Sequence, residues 1–127
     1  MSIDGSKYKT LVLGASIKGS RFSHLAIKSL VKNNIEVFAI GAHKGMVDGI
    51  SIVTEKIELE NLHTVTIYLN AQNQSSYIDY IVTLNPKRII FNPGSENPEL
   101  LIKARQNGID VVFNCTLVML NNGSYFK

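Results

Sequence analysis

Two hydropathy patterns alternate along this chain. Short, nearly continuous apolar runs at residues 10–13, 37–40, 65–69, 88–91 and 110–113 each end at a glycine or an asparagine: Gly14, Gly41, Asn70, Asn92 and Asn114. Runs of this length, apolar on both faces, suit parallel strands covered by helices on each side. Between them apolar residues recur at helical spacing. Phe22, Ala26, Ile27, Leu30 and Val31 make one stripe; Tyr77, Ile78, Ile81 and Leu84 make a second; Leu100, Leu101 and Ala104 make a third. The pattern predicts helices there, the first starting near Ser20 or Ser23 as cap and the second capped by Asn70 or Asn73. The second stops at Asn85-Pro86, because the residue before proline avoids the helical region. The third starts at Ser95 with Pro98 in its first turn, and Gly108 stops it. A further short helix is expected over 115–120. Residues 50–53 are an edge strand or an extended connection, and 59–62 a single helical turn. Residues 1–8 are polar and are expected to form a loosely held tail.

Strands alternating with helices imply one parallel sheet with right-handed crossovers. The expectation is a single α/β domain with a Rossmann-like three-layer fold and a five-stranded parallel sheet in the order 3-2-1-4-5. The length of 127 residues supports one core, and no linker divides it.

Composition narrows the chemistry only a little. The charged share is 18% and the net charge +3. The basic residues are scattered, so they indicate no nucleic-acid partner, and they suit an anionic small molecule equally well. The single cysteine, Cys115, rules out a disulfide framework or a thiolate zinc site within one chain. No apolar stretch has the length of a membrane span, and the start lacks a signal-peptide core. A cytoplasmic location is the expectation. No partner protein is indicated.

The candidate site lies where the first strand ends. Gly14, Ala15, Ser16, Lys18, Gly19 and Arg21 form a small, polar turn between that strand and the first helix. Glycine ends the strand without steric conflict, small residues let phosphates approach the backbone, and the helix start aims unpaired N–H groups at them. The register Gly14-x-Ser16-x-x-Gly19 carries serine where the dinucleotide fingerprint has its middle glycine. In an open parallel sheet the other loops around such a site follow the neighbouring strands. They contribute Gly41, His43 and Lys44, then Asn70, then Asn92, Pro93 and Gly94. The second strand ends at Gly41-Ala42 with no carboxylate to hold a ribose diol, which disfavours NAD. His43, Lys44, Lys18 and Arg21 instead suit a ligand with an extra phosphate, and both NADP and coenzyme A qualify. The four loops supply no base paired with a nucleophile, no carboxylate pair and no metal-ligand cluster. Cys115 reads as a small buried residue rather than a nucleophile.

The stretches Val12-Leu13-Gly14-Ala15-Ser16, Val37-Phe38-Ala39-Ile40-Gly41 with Gly45 and Gly49, and residues 94–115 together resemble the small single-domain CoA-binding proteins. That fold is similar to the CoA-binding domain of the succinyl-CoA synthetase alpha subunit. The resemblance spans about residues 9–120. It implies that Gly14, Ala15, Ser16, His43 and Lys44 hold the nucleotide part of coenzyme A. The chain departs from the family's usual Asn-Pro after strand two (Gly41-Ala42 here), its arginine after strand three (Asn70) and its Asp-Arg-Cys after strand five (Phe113-Asn114-Cys115). The leading expectation is a non-catalytic module that binds coenzyme A or an acyl-CoA. An NADP-binding redox or sensor domain and a ligand-free interaction scaffold are the alternatives.

Overall fold

The computed structural model describes residues 5–127; residues 1–4 of the expected tail lie outside the described residues. Gly5–Tyr8 form a 3-10 turn, and Tyr8 is held by a hydrogen bond from its hydroxyl to the Phe126 carbonyl at 3.1 Å. Seven strands follow in chain order: β1 (Thr10–Ala15), β2 (Val37–Gly41), β3 (Gly45–Val47), β4 (Ile50–Val53), β5 (Thr64–Ile67), β6 (Arg88–Phe91) and β7 (Asp110–Phe113). They build one sheet in the order β3-β4-β2-β1-β5-β6-β7, parallel except for β3 against β4.

This corrects the expected five strands in the order 3-2-1-4-5. The run at residues 65–69 contributes β5, which pairs with β1 rather than lying beyond β2. The place beside β2 is taken by β4, whose Ile52 is buried while Ser51 faces solvent, and β3 folds back on it as a short hairpin. With that flank occupied, the chain crosses to the free side of β1. The direction of strand addition therefore reverses between β1 and β5, and the crevice at the carboxyl ends opens there.

Helices cover both faces. On one, α3 (Ile78–Leu84) and α4 (Pro98–Gln106) bury Ile78, Ile81, Leu100 and Ala104 against Leu11, Leu13, Ile67 and Phe91. On the other, α1 (Phe22–Lys32) and α5 (Thr116–Asn122) bury Ile27, Leu30, Met119 and Leu120 against Val12, Ala39 and Ile90. A one-turn helix, α2 (Ala71–Gln74), starts the segment leading to α3, with Asn70 as its cap: the side-chain oxygen accepts from the Asn73 amide at 2.9 Å. Neither Ser20 nor Ser23 caps α1. The cap position is Arg21, with no side-chain bond. The α4 cap is Asn97 rather than Ser95, and Pro98 takes the first helical position, where it has no amide to leave unpaired. Residues 59–62 form no helical turn.

Candidate functional site at the carboxyl end of the sheet

Four loops meet on three sides of a cleft of about 710 Å³ above β1 and β5. The first is the turn after β1. Gly14 sits at φ +95°, a backbone conformation that disfavours any side chain, and the ladder between β1 and β2 slips between Leu13 and Ala15. This bulge lifts Ala15 and Ser16 out of register and into the cleft wall. Ser16 Oγ accepts the Lys18 amide at 3.1 Å, the Ser16 carbonyl lies 3.2 Å from His24 Nδ1, and the Arg21 amide donates to the Lys18 carbonyl at 3.0 Å. The turn is thus shaped by its own polar groups. Among the described residues, the amides of Ile17, Gly19, Phe22, Ser23 and His24 find no acceptor. Those of Phe22, Ser23 and His24 are the donors at the positive end of the α1 dipole.

The second loop follows β2. His43 and Ala42 line the cleft, while Lys44 is exposed beyond its edge. Gly41 is buried and plays a steric part: a Cβ there would overlap the Ala15 carbonyl oxygen, so glycine lets β2 close onto the bulge. The third side comes from the segments after β5 and β6. Asn70, Asn73, Pro93 and Gly94 line it. Asn92 lies beneath. It is 3% exposed, and its amide donates to Thr66 Oγ1 at 2.7 Å and the Ile67 carbonyl at 3.0 Å, while its oxygen accepts the Thr116 amide at 2.8 Å. That side chain clamps β5, β6 and α5 together under the cleft floor.

The structure thus gathers Gly14, Ala15, Ser16, Lys18, Arg21, His43, Asn70, Pro93 and Gly94 on one cavity and leaves Gly19, Gly41, Lys44 and Asn92 off its wall. Sequence reasoning missed Ile17, Phe22, Ser23, Ala42, Tyr68, Leu69 and Asn73, which also line it. Phe22 fits the apolar stripe of α1 in sequence, yet it is 67% exposed at the cleft. Its place right after the turn was the available signal. The Tyr68 hydroxyl is buried without a hydrogen-bond partner among the described residues, and burial pushes its pKa up to about 12, so it stays protonated. Among the described residues no three His, Cys, Asp or Glu side chains come together as a metal site, and no helix is long and apolar enough to cross a membrane.

A family model described as "CoA binding domain" matches residues 8–121. The chain belongs to the CoA-binding domain family. That membership supports coenzyme A as the ligand of this CoA-binding domain. A crystal structure of an uncharacterised protein is similar at 45% identity and a TM-score of 0.90, covering 94% of this chain and 98% of the other. A hypothetical protein from Pyrococcus horikoshii OT3 shares the fold at 19% identity and a TM-score of 0.82, over 91% of this chain and 83% of the other. A dinucleotide-forming acetyl-coenzyme A synthetase 1 from Ca. Korarchaeum cryptofilum, solved with phosphate and ADP, shares it at 16% identity and a TM-score of 0.71. There the match covers 87% of this chain but 26% of the synthetase chain. No curated protein matches the chain in sequence.

Proposed function

We propose that this domain binds coenzyme A or an acyl-CoA without transforming it, seating the diphosphate on the turn between β1 and α1. The observation that carries the reading is the set of unpaired amides at Ile17, Phe22 and Ser23, residues that line a cleft of about 710 Å³. A diphosphate satisfies such donors directly, and the helix dipole favours its charge. Lys18 and Arg21 line the cleft with His43, and Lys44 stands just outside it, so cations and an imidazole are at hand for the phosphate groups. Asn70 and Asn73 offer neutral carboxamides on the opposite wall, a match for the amide-bearing arm of the cofactor. In this reading Gly41 and Asn92 serve the site from below, by letting strands close and by holding the floor.

Calorimetric titration with coenzyme A, acetyl-CoA, NADP, NAD and ATP tests this. Saturable binding of coenzyme A or its thioester, tighter than the other three, is expected, with the thioester recovered intact. A preference for NADP would shift the assignment to a redox or sensor domain. Indifference to all five would leave a ligand-free scaffold.

A further inference from the structure

The amino ends of the strands carry a second hollow, of about 530 Å³, beside the starts of β5 and β6 and away from the cofactor cleft. Lys7, His63 and Lys87 line it together with Asn61, Asn85 and two leucines. Both asparagines hold left-handed backbone conformations, at φ 56° and 49°. Among the described residues no carboxylate lines this wall.

The next residue along β6, Arg88, adds to the positive charge. It is 6% exposed. Its Nε donates to Thr64 Oγ1 at 2.9 Å, its Nη1 donates to the Tyr125 carbonyl at 3.0 Å, and the guanidinium lies 4.3 Å from the Tyr125 ring centre. Nη2 has no acceptor among the described residues, and the ion pairs found among them, Lys28–Asp48 and Lys103–Asp79, lie elsewhere. The His63 ring reports the resulting field. Burial first, then Arg88, Lys87 and Lys7, hold its pKa at about 4. Its Nδ1 lies 2.7 Å from Thr64 Oγ1. The hydroxyl that accepts from Arg88 still has a proton to give, and in the tautomer where Nδ1 takes it, the ring proton sits on Nε2 as a donor.

We propose that this hollow is a second ligand site, which takes a small multivalent oxyanion through Lys7, Lys87 and His63, with Arg88 supplying charge from behind. Two exposed lysines can close on an anion, and the carboxamides of Asn61 and Asn85 can complete its hydrogen bonds. The ligand class is a phosphate ester, a diphosphate or a polycarboxylate, and the site does not depend on the identity of the cofactor in the cleft.

Two-dimensional NMR of the full chain tests the proposal, with pyrophosphate and citrate as probes and sodium chloride at matched ionic strength as the reference. Saturable shifts are expected at residues 61–63 and 85–88. The His63 ring should titrate at least about one unit higher with the anion bound. A Lys7→Ala/Lys87→Ala variant should bind at least about tenfold more weakly, as two charge-assisted contacts would be lost. A response to either probe supports the site and tells phosphate from carboxylate recognition. Shifts that chloride reproduces, shifts confined to residues 14–22, or binding that survives the double substitution would overturn it.

Discussion

The two ends of the sheet are built in opposite ways. At the carboxyl end the chain leaves backbone donors unpaired around Ile17 and the start of α1, and exposes Phe22 and Ile17 beside them. At the amino end, behind the hollow lined by Lys7, His63 and Lys87, the chain fills the space between the strands with side chains. Tyr125 is fully buried and its hydroxyl bonds Thr10 Oγ1; Arg88 stacks on its ring; Tyr8 packs edge-on to His63 and Phe126. The difference shows where stability resides and where backbone donors are left open. The unpaired amides of Ile17 and Phe22 are on exposed residues, where water can hydrate them, and a ligand seated there would take over those bonds. The filled end makes its contacts within the chain.

This contrast can be broken most severely from the filled end. Replacing Tyr125 with alanine removes a fully buried ring together with its bond to Thr10 and its stacking on Arg88. A loss of about 3–5 kcal/mol is expected in urea unfolding, the range for large aromatic truncations. Next comes the floor of the cleft. Asn92→Ala strips three hydrogen bonds and leaves the buried Thr116 amide without its acceptor. It should cost about 2–3 kcal/mol and blunt the thermal shift given by coenzyme A, because α5 is no longer tied to β6. A third test uses His63. With a folded pKa of about 4 against an ordinary 6.5, the unfolded chain binds the extra proton between those values. Stability is therefore full above pH 6.5 and falls as pH drops towards 4. The ring is partly exposed, so after allowance for solvent screening the loss is about 1 kcal/mol, and it should vanish from the pH profile of His63→Gln. The smallest effect is expected at the open end. Ser16→Ala removes only the bond to the Lys18 amide and should change stability by about 0.5 kcal/mol or less. If it instead unfolds the domain, the turn belongs to the structural skeleton, and the contrast between the ends fails.

Much of the architecture was legible along the chain because strands and helices here carry strong, uniform periodicity. Ile89, Ile90 and Phe91 are all fully buried, as a strand covered on both faces requires, and Ile78 and Ile81 fall on one buried helical stripe. Short elements were less readable. Residues 50–53 alternate over only four positions, and their pairing with β2 is what displaced β5 to the other side of β1. Asn92 shows a different limit. A polar residue just past a strand end suggests a ligand contact, yet its partners Thr66 and Thr116 come from β5 and α5, 26 and 24 residues away. Arg88 read only as the first residue of a strand, and Tyr125 stood in an unremarked tail; their contact spans 37 residues.

What the sequence determined by itself was the set of repeating patterns: which segments become strands, which become helices, and that a glycine-led turn follows the first strand. Those are local properties, set by side-chain period and by the backbone freedom of a few residues such as Gly14. Only the tertiary structure decided the order of the strands, the partners of the buried polar groups, and which donors stay unpaired. Each of those depends on groups distant in sequence competing for the same neighbour, and that competition is resolved only when the chain packs.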